Sequence, residues 1–355
     1  MNLVSILLAA VMCAAAGPGM GVHSEAEPPD WLEPGYVAPV EEDNEESEEP
    51  EDTSFTIDLS VVGDCMLATH KGGYYNGSFS WYAAHKDPSY FFEKVYDIFS
   101  ADDFTIVNLE NVLTDRKLAE VNKGVPRAFW FKGPASNANI LTAGSVEAVS
   151  LANNHTGDYG SQGRADTIAA VQDAGLDYGT NDKTIYLEKN GFVIAVICHG
   201  LWNEAQASDI VRRIKAASEK SDYQIVFYHG GAESVHKPED WRVRASHKLV
   251  DAGADLVLGN HPHVLQPTEI YNGVNIIYSL GNFCYGGHNR PENRTIIYKM
   301  LLTVDQGEVI KEEASFIPCY VYTDKTNNWQ PAPIESEADR QKVLDFLAGE
   351  RPLPY

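Results

Sequence analysis

Apolar runs of strand length recur along this chain, and five of them stop on side chains that can ligate a metal or carry a proton. "FTIDLSVVGD" (55–64) ends on Asp64, and "DFTIVNLEN" (103–111) carries Asn108 and Glu110 at its end. "VEAVSLANNH" (146–155) ends on Asn153, Asn154 and His155. "YQIVFYHGG" (223–231) brings His229, with Glu233 just beyond, and "DLVLGN" (255–260) runs straight into His261-Pro262-His263. Several of these runs are apolar without interruption, as expected of strands covered on both faces. Alternate residues of an extended segment point the same way, so His261 and His263 are expected to face one point beyond the strand end.

Helix-like stretches separate the strands. "YFFEKVYDIFSA" (90–101) spaces its aromatic and aliphatic residues by three and four, and "GRADTIAAVQDAG" (163–175) closes on Gly175 as a C-cap. "WRVRASHKLVDAG" (241–253) reads as a further helix, and "FVIAVICHG" (192–200) as a buried strand. "NGVNIIYSLGNF" (272–283) opens on an Asn-Gly turn, residues 295–317 read as a hairpin around Asp305-Gln306-Gly307, and a last amphipathic helix is expected near 336–348. This alternation implies an α/β protein with a covered sheet. In such sheets ligands gather at the carboxyl ends of the strands, so ends remote in sequence are expected to converge. The folded domain is expected over 53–330, with a C-terminal helical tail over 331–355.

The N-terminal 23 residues hold an apolar stretch of signal-peptide length with Ala14-Ala15-Ala16 as a small-residue cleavage site. They are expected to export the chain to the extracellular side or the outer face of the cytoplasmic membrane, with lipid anchoring at Cys13 as the alternative to simple cleavage. Residues 24–52 hold thirteen of the 51 acidic residues and no Lys or Arg, and read as an extended, self-repelling linker. The remaining acidic residues outnumber the 27 basic ones by 11, an ordinary acidic surface that gives nucleic acid nothing to bind. The five cysteines form no CxxC pair and are expected to be unpaired packing residues.

Taken together, the strand ends offer Asp64, Glu110, Asn154, His229, His261 and His263, a mixed oxygen and nitrogen set without thiolate. Such a set suits one or two divalent ions of intermediate hardness, Mn, Fe or Zn. Two ions bridged by a carboxylate can polarise a phosphoryl group and activate water. Each residue alone has a plainer reading. Asp64 could be a turn residue, Asn153 and Asn154 helix caps, and His229 a hydrogen-bonded core residue. Five strand ends furnished alike are hard to explain by turn chemistry.

"GDCML", "NLE", "SLANNHTGDYG", "HGGAE" and "GADLVLGNHPHVLQPTEIYNGVNIIYSLGNF" resemble, in matching order over roughly residues 55–290, the CapA family of capsule-synthesis and poly-γ-glutamate-biosynthesis proteins. That family resembles the calcineurin-like metallophosphoesterases, which implies a four-layer α/β sandwich with a dinuclear metal site at strand ends. The resemblance makes Asp64 the first-motif aspartate, Glu110 the bridging carboxylate and Asn154 an amide ligand. It makes His155 the catalytic acid, His229 a lone histidine ligand, and His261 and His263 one ligand for each metal. Asn108, Asp158, Glu233 and Asn282 are candidates for supporting or substrate-binding roles. The first motif departs from the superfamily's Asp-x-His: Met66 stands where the histidine belongs, and a thioether is a poor ligand for such ions. Two readings follow. One is an exported metal-dependent hydrolase or transferase acting on a phosphoester or an envelope polymer. The other is a non-catalytic accessory protein that binds or exports an anionic polymer beside membrane-bound synthase components. A basic or aromatic groove beside the metals would favour polymer binding, and a small closed pocket a small phosphoester.

Overall fold

A computed structural model describes residues 53–125, 128–286 and 293–355. The leader-like segment with Cys13 and the acidic linker lie outside the described residues. The chain enters β1 (Phe55–Cys65) and passes β2 (Thr69–His70), α1 (Phe79–His85) and α2 (Tyr96–Phe99) to reach β3 (Phe104–Leu109). Short strands β4 (Val112–Leu113) and β5 (Phe131–Gly133) precede α3 (Ala138–Ala143), β6 (Ala148–Ser150), α4 (Gly160–Asp173) and β7 (Asp177–Gly179). Then come β8 (Ile185–Lys189), β9 (Phe192–Gly200), α5 (Ala207–Ala217), β10 (Tyr223–His229), α6 (Asp240–Asp251), β11 (Leu256–Asn260), β12 (Thr268–Tyr271) and β13 (Val274–Ile277). The hairpin β14 (Arg294–Asp305) and β15 (Glu308–Tyr320), β16 (Ala332–Pro333) and α7 (Glu337–Leu347) complete the body.

Two large sheets result, ordered β16-β15-β14-β1-β3-β6-β7 and β12-β13-β11-β10-β9-β8. A small third sheet, β2-β5-β4, lies apart from them in pairing. The period-two geometry of a strand sends alternate residues to opposite faces. In β10, Tyr223, Ile225 and Phe227 join the core between the sheets, while Val226 and Tyr228 join the core shared with α5 and α6. In β1, Ile57, Leu59 and Val61 do the same on the opposing sheet. The outer face of that sheet is covered by Phe91, Phe92, Phe99, Leu141 and Val171. The layers therefore run helix, sheet, sheet, helix, the four-layer α/β sandwich expected from the sequence. Both faces of β10 are buried because both are covered, which is why its sequence is apolar without interruption.

Local chemistry sets the helix ends. Gly175 takes φ +82° just after α4, and Leu176 N–H then donates to Val171 O at 3.1 Å, closing the helix with a six-to-one bond. The stretch 90–101 departs from the single helix expected. It forms a 3-10 turn at Pro88–Phe91 and one α-turn at Tyr96–Phe99. Adjacent Phe91 and Phe92 are both buried, and a regular helix would splay them about 100° apart. The tighter bonds Val95 N–H to Phe92 O and Ile98 N–H to Val95 O let both rings turn inward. Residues 331–355 belong to the same compact body as the rest. Strand β16 pairs with β15, and α7 buries Val343, Phe346 and Leu347 at the core between the sheets. The four described cysteines are free and buried, and burial pushes the Cys65 and Cys198 thiols up to about 12 and about 11.

Candidate metal centre

The carboxyl ends of β1, β3 and β6 from one sheet meet those of β10 and β11 from the other along the seam between the sheets. Parallel pairing brings the ends level, setting Asn108 beside Ser150 and His229 beside Asn260. Between β1 and β3 the register slips by one residue, so that Val61 faces Ile106 but Asp64 faces Asn108. Such a bulge re-aims the side chains that follow it. Here Asn108 Nδ2 donates to Asp64 Oδ1 at 2.7 Å. Beyond the bulge β1 is pinned by a second segment: Asp64 N–H donates to Gly281 O at 3.0 Å and Phe283 N–H to Asp64 O at 2.8 Å. A Cβ on Gly63 would lie 1.8 Å from Gly281 O, which explains the glycine before Asp64.

His261 and His263 both reach the centre, but not by strand alternation. Strand β11 ends at Asn260, and the two histidines adopt φ +93° and +59° around Pro262. Left-handed backbone at two non-glycine residues is strained and persists only where surroundings fix it. Pro262 O accepts from Ser234 N–H at 2.8 Å, and His261 N–H approaches Asp64 Oδ2 at 3.3 Å. The imidazoles lie 5.5 Å apart, centre to centre.

Two overlapping donor groups form, Asp64–Glu110–His229 and Glu110–His261–His263, each with its ligand atoms within 4.8 Å of one another. Glu110 belongs to both. Its side chain is fully buried, and neither carboxylate oxygen has a hydrogen-bond partner. An unsatisfied buried carboxylate costs several kcal/mol unless a cation meets it. The surroundings of His229 point the same way. Its Nε2 has three acceptor atoms nearby, Asn154 Oδ1 at 2.7 Å, His261 Nδ1 at 3.1 Å and Glu110 Oε1 at 3.3 Å. One N–H can serve only one of them well, whereas a divalent ion satisfies several. The residues present therefore fit a divalent metal held by mixed oxygen and nitrogen donors.

Without an ion, two of the three imidazoles carry the positive charge instead. Burial opposes charge, yet Glu110 and Asp64 outweigh it and hold His229 and His263 up to about 9. Asp64, despite its burial, is held well below the usual carboxylate range by hydrogen bonds from those two rings. Burial and the two charged neighbours push His261 down to about 2. His263 Nδ1 lies 3.0 Å from Asp64 Oδ2 and 2.9 Å from Asn282 Oδ1, which places Asn282 in direct support of that ring. Asn108 supports Asp64, its Nδ2 lying also 3.1 Å from His229 Nδ1, and its Oδ1 accepts from Asn153 Nδ2 at 3.1 Å.

His155 stands at the edge of the donor set. Asp158 Oδ2 lies 2.8 Å from its Nδ1, and Lys123 Nζ lies 2.5 Å from the other Asp158 oxygen. A carboxylate so placed accepts the Nδ1 proton, which leaves Nε2 facing Glu110 Oε1 at 4.0 Å. The sequence offered no signal for Lys123, which sits in a loop remote from any strand end. It also offered none for Trp202, whose ring meets His261 edge-on at 4.9 Å. Glu233 is not brought into either donor group. It lies exposed after β10, on the wall of an adjoining cavity of about 360 Å³. Met66 is buried on the same wall against Tyr285 and Val321, so no imidazole stands in its place. No helix among the described residues is long and apolar enough to cross a membrane.

Residues 58–286 match the family model described as bacterial capsule synthesis protein PGA_cap. The chain is similar to the PGA biosynthesis protein CapA of Bacillus subtilis (strain 168), at 28% identity over 81% of this chain and 76% of that one. It is similar to the capsule biosynthesis protein CapA of Bacillus anthracis at 26% identity, over 83% of this chain and 73% of that one. A probable polyglutamine synthesis accessory protein of Mycobacterium tuberculosis (strain CDC 1551 / Oshkosh) is 29% identical over 59% of this chain and 64% of its own length.

Proposed function

The chain belongs to the bacterial capsule synthesis protein PGA_cap family, and on that footing we propose that it is an exported, divalent-metal-dependent hydrolase or transferase of capsule or poly-γ-glutamate biosynthesis, acting on an envelope polymer or phosphoester. The observation that carries this reading is Glu110, a fully buried carboxylate whose oxygens make no hydrogen bond and face the site imidazoles, shared by two groups of metal-type donors. Asp64, Glu110, Asn154, His229, His261 and His263 would hold Mn, Fe or Zn. A divalent ion there supplies Lewis acidity toward a phosphoryl or carbonyl oxygen.

The chain's own residues supply the rest. Asp158, fixed by Lys123 and by the Phe131 N–H at 2.8 Å, holds His155 in the tautomer with its proton on Nδ1. The Nε2 atom then faces the centre, and in the protonated ring it can deliver a proton to a leaving oxygen. Asn108 and Asn282 hold the aspartate and His263 in register. Trp202 covers the imidazoles of His229 and His261 on one side. Export rests on the leader-like N-terminal stretch, and membrane-bound synthase components are the expected partners.

Met66 favours a second reading, an accessory protein whose ion clamps polymer carboxylates without turnover. The deciding test is metal content by ICP-MS on the purified full chain and on His261→Ala/His263→Ala. Between one and two equivalents, lost in the variant, with turnover of a phosphoester or polymer substrate, is the expected result. Metal without turnover would favour the accessory reading, and no metal after reconstitution would sink both.

A further inference from the structure

The cavity of about 360 Å³ opens directly beside His155 and His263. Its size lies in the lower part of the ~300–1,000 Å³ range of small-molecule sites. Six aromatic rings line it: Tyr75, Phe79, Phe129, Phe131, Tyr285 and Trp329. Tyr75 and Phe129 are more than half exposed, so rings stand at the mouth as well as in the wall. Trp329 is held there against local preference. Its φ is +61°, its N–H donates to Asn327 Oδ1 at 2.8 Å, and its indole N–H donates to Gly77 O at 3.0 Å. A Cβ on Gly286 would lie 2.1 Å from the Trp329 ring, so the glycine makes room for it. A strained backbone fixed by several contacts at a cavity wall marks a functional position.

The polar part of the lining is Thr69, His70, Ser78 and Glu233 beside the two site histidines, and the described lining residues include neither Lys nor Arg. The oxygens of Thr69 and Ser78 accept from the N–H groups of Ser80 at 2.9 Å and Tyr75 at 3.4 Å, which leaves each hydroxyl proton to donate. Beyond His263 and the metal centre at its inner end, the described lining offers a run of carboxylates aromatic faces and one opposing carboxylate. A quaternary ammonium would use the rings and leave the hydroxyls idle. A pyranose fits both sets, with an apolar C–H face for the rings and a rim of hydroxyls for the polar groups. We propose that this cavity is a subsite for an uncharged sugar ring, so that the group presented to the metal centre is attached to a neutral glycan. This rests on the functional reading above and narrows its substrate class.

The test is isothermal titration of the metal-loaded full chain with neutral gluco-, manno-, galacto- and N-acetylglucosamine tetrasaccharides, and separately with oligo-γ-glutamate. The expected result is saturable binding of at least one neutral glycan, weakened about tenfold or more in Tyr75→Ala/Phe129→Ala. Both rings are exposed, so the variant should stay folded, and its metal content should stay at the wild-type level. Binding of none of the four glycans, or oligo-γ-glutamate binding lost in the same variant, overturns the proposal. Metal content together with turnover decides the hydrolase reading separately. Neutral-glycan binding by a chain that takes up no metal even after reconstitution would fail that reading and leave the sugar subsite standing.

Discussion

Glu110→Gln isolates what the buried carboxylate does. The amide nearly matches it in shape but removes the charge shared by both donor groups. Metal at 100 times its dissociation constant stabilises a folded protein by about 2.7 kcal/mol. Unfolding entropy of about 2.1 cal/mol/K per residue, over roughly 300 ordered residues, gives about 0.6 kcal/mol per degree. The wild-type Tm should therefore rise by about 4 °C on adding metal at that ratio, and by about 2 °C for each further tenfold. Glu110→Gln at the same metal concentration should shift by less than about 1 °C, because an uncharged ligand leaves the site far from saturation. Differential scanning fluorimetry with Mn and Zn, on protein first stripped by a chelator, measures both. An equal rise in wild type and variant would refute the reasoning, since the ion would then be binding elsewhere.

Four further outcomes are expected. Asp158→Asn should keep its metal and lower turnover by about 10²-fold or more, measured on whichever substrate the wild type consumes, because one amide oxygen cannot accept from Lys123 and from His155 Nδ1 together, and the amide NH2 turned to His155 would fix the other tautomer. Gly63→Ala should destabilise by about 3 kcal/mol or fail to accumulate as folded protein, judged by urea unfolding, since its Cβ would collide with the Gly281 carbonyl. Glu147 accepts from Thr105 N–H at 2.7 Å, and burial pushes its carboxyl up to about 7. Between about 4.5 and 7 the unfolded chain sheds a proton that the folded protein keeps, so stability falls as pH rises through that window. Glu147→Gln should flatten that slope of Tm against pH. Metal uptake at pH 7 should release protons, seen as a buffer-dependent heat in titration calorimetry, because His229 and His263 are charged in the metal-free protein.

The strands and the long helices were legible because one pattern serves both levels. A strand covered on two faces must be apolar throughout, as in β10, and its first polar residue marks both its end and the site. The candidate donors were legible for the same reason: Asp64, Glu110, His229, His261 and His263 stand at or just beyond such ends. Sequence could not show how the histidine pair arrives, since the turn at Pro262 is set by contacts with Ser234 and Asp64, both far away in the chain. Glu233 falls outside both donor groups and on the wall of the adjoining cavity, because proximity to His229 in sequence does not fix which way a bend points. Lys123 was invisible because its role exists only where its loop crosses Asp158. The aromatic cavity draws rings from positions 75 to 329, and no local pattern distinguishes those rings from core residues.

The donors span positions 64 to 263 and come in roughly equal shares from two sheets. An ion held by them is therefore a clasp across about 200 residues of chain, fastened only when both halves of the sandwich have formed and docked. It cannot assist the early folding of either sheet, and it should slow their separation once bound. Its escape rate consequently reports on the parting of the two sheets, which makes the departure of metal a direct clock for how long the folded protein endures.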